Sequence, residues 1–387
     1  MLPALLRDFV RRTRRGLRKL PKAASAVAHS IKKKMGDRSP TPFDDDSSGG
    51  CFAKALEARG ISYEYLHRHQ TPIGSMPHRK YLVFRVNGVA HYFSHGSLLV
   101  GNTDGSVGPS VNGAIGPLLA QKDLTNSVLR GHGFSVPEGL AFHRDSTDEA
   151  CGYFAALAAT AARGVCVKPA NGRKGHKVHV GLRDLPSFRS AFKLVAKHYE
   201  RVLIEETVEG AVYRFFCLAG RAIAIRYGLP ANVEGDGVHS IADLVQLKNR
   251  TSADTPSRRR IRVKQPEERM LVEKGMAMST IPRAGEIVWL GRTSNLHQGA
   301  DTIDATDTVH PSYIAIVEQA VQRFPGLTLC GADVVIADAS VAATASNHHF
   351  LELNDDPGFA AHHHPLVGNS RDVAGAIVEY LMLRDPG

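Results

Sequence analysis

The sequence predicts a globular protein of mixed helices and strands, α+β or α/β, behind a basic N-terminal arm. Three observations predict it. From residue 121 onward, segments with helical spacing alternate with short apolar, β-branched runs. The 387 residues are 43% apolar and 22% charged, which is globular composition in a chain long enough for two or three units around a buried core. The charge is segregated as well. Residues 1–36 hold eleven of the 48 Lys and Arg and one of the 38 acids, so the net +10 belongs to the arm and the rest balances at 37 against 37.

Taken in order, residues 1–36 come first. Leu2, Leu5, Leu6, Phe9 and Val10 recur at helical spacing, and Arg7, Arg11, Arg14, Arg15 and Arg18 cover most of the remaining surface. A basic amphipathic helix of this kind can lie in an anionic membrane surface, each nearby cation contributing on the order of 1 kcal/mol. The alternative is a solvated or partner-binding helix on a tether. The apolar core of a secretory signal is missing, so a cytoplasmic location, with peripheral contact at the inner membrane surface, is expected. Residues 37–50, rich in Pro, Gly, Ser and Asp, read as a linker. Residues 51–120 read as a small α/β unit. In it CFAKALEARG is a helix closed at Gly60, and YLVFRVNGVAHYFS is a hairpin turning at Asn87-Gly88.

Residues 121–387 form the main domain. QKDLTNSVLRGHG reads as a short helix closed by glycine, SVPEGLAF as a strand and DEACGYFAALAATAARG as an Ala-rich helix. GVCVKPA and RVLIEE follow as apolar strands, the second ending in acid. LCGADVVIAD and FLELNDDPGF are two more, joined by an Ala/Ser-rich loop. No internal repeat is evident.

Composition and patterning exclude several classes. No apolar run reaches the roughly 18 residues that span a bilayer. Cys51, Cys151, Cys166, Cys217 and Cys330 are scattered and never spaced CxxC, which fits neither a disulfide framework nor a zinc site and points to a reducing compartment. A neutral body with a single Trp289 offers no basic groove with stacking aromatics, so nucleic acid is not an expected partner.

Two segments carry chemistry. In VKPANGRKGHKV, Lys168 ends an apolar strand before a loop with Gly172 and Gly175, where backbone N–H groups can turn toward phosphate and a lysine supplies a point charge. It is not the P-loop pattern, and alone a Gly-rich hairpin is an ordinary turn. Farther on, Glu352 and Asn354 are two apart and share one strand face. If the two strands pair antiparallel, Asp333 joins them, and three hard oxygen ligands with phosphates and water suit magnesium. Acids at strand ends can merely face solvent. Here Asp333 and Glu352 are flanked by apolar residues, where an unpaired carboxylate is costly.

The order of lysine, Gly-rich loop, acid pair after an apolar strand, then Asp and Glu-x-Asn resembles the ATP-grasp fold, and in detail the ATP-grasp domain of cyanophycin synthetases and related carboxylate–amine ligases. The resemblance runs from about Lys122 to Tyr380 through QKDLTNSVLRGHGFSVPEG, VLIEETVEGAVYRFF, PANVEGDGVHSIADLVQLKN, IPRAGEIVWLGRTSNLHQGADTIDATDTVHP and ELNDDPGFAAHHHPLVGNSRDVAGAIVEYL. It implies an α+β fold of two subdomains clamping ATP. Lys122 and Lys168 would contact phosphates, Gly172 and Gly175 would lie in the loop above them, and the hinge at Glu205 and Glu206 would meet adenine. Asp333, Glu352 and Asn354 would hold magnesium, or manganese in its place. Arg292 would neutralise the transferring phosphate, and Arg214 would face a phosphate or a substrate carboxylate.

The implied reaction is ADP-forming ligation of a carboxylate to an amine through an acylphosphate, on small-molecule or peptide substrates. A phosphotransferase on the same fold and a membrane-recruited, non-catalytic nucleotide-binding module are the alternatives, and self-association is left open. Two positions depart from the family. Val212 stands where relatives place a ribose-binding acid, which leaves nucleotide preference open. Gly228 replaces an arginine, with Arg226 two residues early, which points to a changed acceptor pocket. His362 matches a family histidine, while His348, His349, His363 and His364 read as surface-loop residues.

Overall fold

The computed structural model describes residues 43–66, 80–102, 107–172, 175–251, 260–263, 265–291 and 299–384. The basic arm at 1–36 and residues 37–42 of the linker lie outside the described residues. Helix α1 (Ser48–Glu57) starts where the Ser47 hydroxyl accepts from the Gly50 N–H at 3.1 Å. Strands β1 (Tyr63–Leu66), β2 (Tyr81–Val86), β3 (Val89–Ser94), β4 (Ser97–Gly101) and β5 (Val107–Ser110) then form an antiparallel meander in chain order. The expected hairpin turn is present between β2 and β3. Asn87 and Gly88 both have positive φ, 51° and 80°, as a two-residue hairpin turn of the I′ type requires.

Helices α2 (Gly116–Leu119) and α3 (Lys122–Gly131) lead into a second sheet. It contains β6 (Gly139–His143), β7 (Val165–Pro169), β8 (His179–Leu182) and β9 (Arg201–Glu206), with α4 (Thr147–Ala158) and α5 (Leu185–Ala196) between them. The strand order is β6-β9-β7-β8, antiparallel throughout. Val165, Val167, Val202 and Ile204 pack against Phe154, Phe188 and Phe192 on the helical side. Side chains alternate along a strand, so Cys166, Lys168, Leu203 and Glu205 project from the other face.

The third sheet is assembled from distant segments. Its elements run β10 (Ala211–Leu218), β11 (Arg221–Leu229), β12 (Asn232–Glu234), α6 (Ile241–Thr251), α7 (Gln265–Glu273), β13 (Ile287–Trp289), β14 (Asp301–Asp304), α8 (Pro311–Val321), β15 (Leu329–Ile336), β16 (His348–Asn354), α9 (Ala360–His363) and α10 (Val373–Leu383). The sheet order is β14-β11-β10-β15-β16, and β12 and β13 form a separate ribbon. One sheet face buries Phe215, Ile225, Ala332, Val334 and Ile336 against Tyr313, Val317 and Val321 of α8. The opposite face is divided. At one end Phe216, Leu218, Ala224 and Leu329 share a cluster with Phe52 and Leu56 of α1, Phe93 of β3 and Ile377 and Val378 of α10. At the other end it carries charge.

Gly210, entering β10, has φ 134°, and an added Cβ would overlap the Ile336 carbonyl oxygen. All five cysteines are free and buried. Burial pushes the Cys51 thiol up to about 11 and those of Cys166 and Cys330 up to about 12, which makes them inert packing residues. Among the described residues no helix is long and apolar enough to cross a membrane.

Candidate active site

The register of the third sheet sets five ionisable residues in one transverse row. Asp304 of β14 faces Arg226 of β11, which faces Arg214 of β10, which faces Asp333 of β15, which faces Glu352 of β16. The antiparallel pairing of β15 with β16 also sets Asn354 opposite Gly331, so the three residues expected around magnesium are brought together. Arg214 forks onto Asp333, with Nη2 donating to Oδ2 at 2.6 Å and Nε to Oδ1. Its Nη2 is also 4.0 Å from Glu352 Oε1. Gly331 makes room for this fork, since a Cβ there would lie 2.7 Å from Arg214 Nη1.

Two lysines lie near this row, Lys122 on α3 and Lys168 on β7 of the second sheet. Lys122 is the first residue of α3, and its backbone N–H bonds the Ala170 carbonyl at 2.9 Å. Its ammonium spans two elements, donating to the Gly172 carbonyl at 2.6 Å and pairing with Glu352 Oε2 at 2.8 Å. Lys168 pairs with Glu205 Oε1, both side chains being less than a tenth exposed. Burial opposes the charge on Lys168, but the Glu205 carboxylate outweighs it and holds the ammonium above its ordinary value. The other oxygen, Glu205 Oε2, is buried without a partner. Glu205 lines a cavity of about 220 Å³ with Asp123, Asn126, Arg201 and Leu203. The Glu206 N–H bonds the Glu138 carbonyl, and its carboxylate takes the Glu138 N–H at 3.0 Å. Gly175 has φ 67°. Arg292 and Lys174 lie outside the described residues.

Lys122, Lys168 and Arg214 are thus each paired with a carboxylate and largely shielded from solvent. Buried ion pairs are poor stabilisers, because desolvation offsets most of their Coulomb gain. Three together mark a place built to handle charge. Burial and the adjacent Glu352 raise Asp333 above its usual range. Glu352 is held low, because Lys122 and Arg214 overcome the burial that would lift it. Asp333 and Glu352 with the Asn354 amide oxygen are an all-oxygen set that fits a magnesium ion keeping water and phosphate ligands. The Asn354 amide nitrogen donates to Glu352 Oε1 at 3.0 Å and to the Gly331 carbonyl at 3.3 Å, which ties it to its neighbour in the set. Among the described residues no three His, Cys, Asp or Glu side chains gather into a closed metal cage.

The histidines differ from expectation. His348 is buried within β16, its Nδ1 bonded to the Thr344 carbonyl at 2.7 Å. His363 Nε2 accepts the Ala374 N–H at 3.0 Å, so the residue ties α9 to α10 rather than facing solvent. Two features escape sequence reading. The Lys168–Glu205 pair was hidden because the lysine expected at phosphate and the acid expected at adenine meet only through strand pairing. Arg226 was seen only as a displaced arginine, and its place beside Arg214 follows from register.

A solved structure shares this arrangement of elements, and curated proteins are similar in sequence. The chain superimposes on the crystal structure of a bifunctional glutathione synthetase from Pasteurella multocida with a TM-score of 0.60 and 27% identity, over 86% of this chain and 44% of that one. The fold is ATP-grasp. In sequence the ATP-grasp region is 31% identical over 277 residues to the glutathione biosynthesis bifunctional protein of Pasteurella multocida, covering 69% of this chain and 36% of that protein. It is 28% identical over 269 residues to the cyanophycin synthetase of Trichormus variabilis, covering 68% of this chain and 29% of the relative. The chain therefore spans about a third of the length of the curated relatives it matches. No protein-family model matches it.

Proposed function

We propose that the protein is an ATP-dependent, ADP-forming carboxylate–amine ligase that makes an amide or peptide bond through an acylphosphate. The observation that carries this reading is the set of three shielded ion pairs, Lys122 with Glu352, Lys168 with Glu205 and Arg214 with Asp333. The relatives' printed names, glutathione biosynthesis and cyanophycin synthesis, support amide-bond formation.

On binding ATP, Lys122 and Lys168 offer their remaining N–H donors to phosphate oxygens while each keeps its carboxylate partner, so that Glu205 is not left as an unpaired buried charge. The partnerless Glu205 Oε2 can accept from the amino group of the base. Magnesium bound by Asp333, Glu352 and Asn354 would supply charge neutralisation at the phosphates. Arg214 stands beside that pair and steadies the substrate oxygen that attacks the γ-phosphate, giving ADP and an acylphosphate. An amine then displaces phosphate. Arg292, by resemblance, would add a second cation at the transferring group.

Calorimetric titration with magnesium and a nonhydrolysable ATP analogue tests the nucleotide half of this reading. Lys168→Ala should bind at least tenfold more weakly than wild type. Equal affinities would remove Lys168 from the phosphate site.

A further inference from the structure

Of the cations in the transverse row, Arg226 makes no direct ion pair among the described residues. Asp304, its neighbour in register, is taken by Arg371, whose Nη2 lies 2.6 Å from Oδ2. Asp333, one strand farther on, is held by Arg214. Arg226 donates no hydrogen bond to any described residue, and its Nε is fully buried without a partner. Beside it lies His362 of α9, 2% exposed, with neither ring nitrogen partnered. Its ring meets Phe216 of the same sheet face edge-on, with centroids 6.0 Å apart. Burial first, then the charges of Arg226 and Arg214, hold His362 far below its ordinary value, so the ring is neutral and one nitrogen carries a proton. The partly exposed guanidinium and the buried ring together present N–H donors and positive charge where no carboxylate of the described residues hydrogen-bonds to either.

Unmatched charge and orphan donors at one place are costly unless a ligand answers them. We propose that Arg226 and His362 form an anion subsite that receives a non-reacting carboxylate of a substrate, with Arg226 as the specificity-determining residue. The spot lies two strands from Asp333, about 10 Å at the usual strand spacing. That sets the backbone of Arg226 apart from the metal acids, so its guanidinium answers a carboxylate other than the one being phosphorylated beside them. The inference rests on the ligase reading above and adds the chemical class of substrate.

The test is thermal unfolding of wild type and Arg226→Met in the full chain, with three probes. These are magnesium with the nonhydrolysable ATP analogue, that mixture plus glutarate, and that mixture plus alanine, with butyrate as the single-carboxylate control. Wild type should gain stability with nucleotide and gain more with glutarate or alanine than with butyrate. A glutarate response assigns the pocket to the acid substrate, and an alanine response assigns it to the amine substrate. Arg226→Met should keep the nucleotide shift and lose the carboxylate shift. His362→Gln should weaken the carboxylate shift in the same direction. If Arg226→Met retains the full carboxylate shift, or wild type responds to nucleotide but to neither carboxylate, the subsite is overturned. Absence of the nucleotide shift in wild type would instead refute the ligase reading and this inference with it.

Discussion

Lys168 and Glu205 are each almost fully shielded, and each is tolerable there only because of the other. Removing one partner from such a pair leaves an uncompensated buried charge, at a cost of about 3–5 kcal/mol. Lys168→Met and Glu205→Met should therefore each lower the denaturation midpoint strongly, while the double variant should recover much of the loss. Additive losses, measured by urea denaturation, would show that the pair does not act as a unit. A second consequence concerns His363, which burial depresses from 6.5 to about 4. Above pH 6.5 the folded and unfolded states are both neutral at this residue. Below it only the unfolded state takes a proton, so stability falls as pH drops from about 6.5 to 4, by about 3 kcal/mol. His363→Gln should flatten that slope. An unchanged pH profile of the melting temperature would assign the acid sensitivity elsewhere. At this scale the sequence was partly legible. Lys168, Asp333 and Glu352 stood out because ionisable groups interrupted apolar strands. His363 did not, because beside two other histidines it read as a surface-loop residue until the packing of α9 is known, and His362 stood out only by resemblance.

Strand pairing does most to build the site. The alternation of Glu352 and Asn354 was visible within one segment, and antiparallel pairing of β15 with β16 brought Asp333 to them as expected. The row from Asp304 to Glu352 was not legible. It depends on four registers between segments far apart in the chain, and local periodicity says which face a side chain takes without naming its neighbour across the sheet. Gly331 tests the row directly. Gly331→Ala would place a methyl group 2.7 Å from Arg214 Nη1 and 2.9 Å from the Pro357 Cβ. It should shift Arg214 off Asp333 and cut turnover by an order of magnitude or more, with the circular dichroism spectrum retained. Undiminished turnover would mean that the fork onto Asp333 is dispensable.

Across the whole molecule, the N-terminal helix and the third sheet are joined by the last helix. Val373, Ala374, Ile377, Val378 and Leu381 of α10 lie in the same apolar cluster as Phe52 and Leu56. Truncation after residue 372 should abolish cooperative unfolding, as each large buried side chain contributes about 1.5–3 kcal/mol. The basic arm should behave differently, because its charge is segregated from a neutral body. Deleting residues 1–36 should leave ATP turnover intact and abolish sedimentation with anionic liposomes, and that sedimentation should weaken as salt rises. The central claim is the ligase reaction, and product analysis tests it most directly. Incubated with magnesium, ATP and pooled amino acids, wild type should release ADP in step with a new amide detected by mass spectrometry, and Asp333→Asn should yield neither. A stable phosphorylated product without an amide, or ADP release undiminished in Asp333→Asn, would contradict the account.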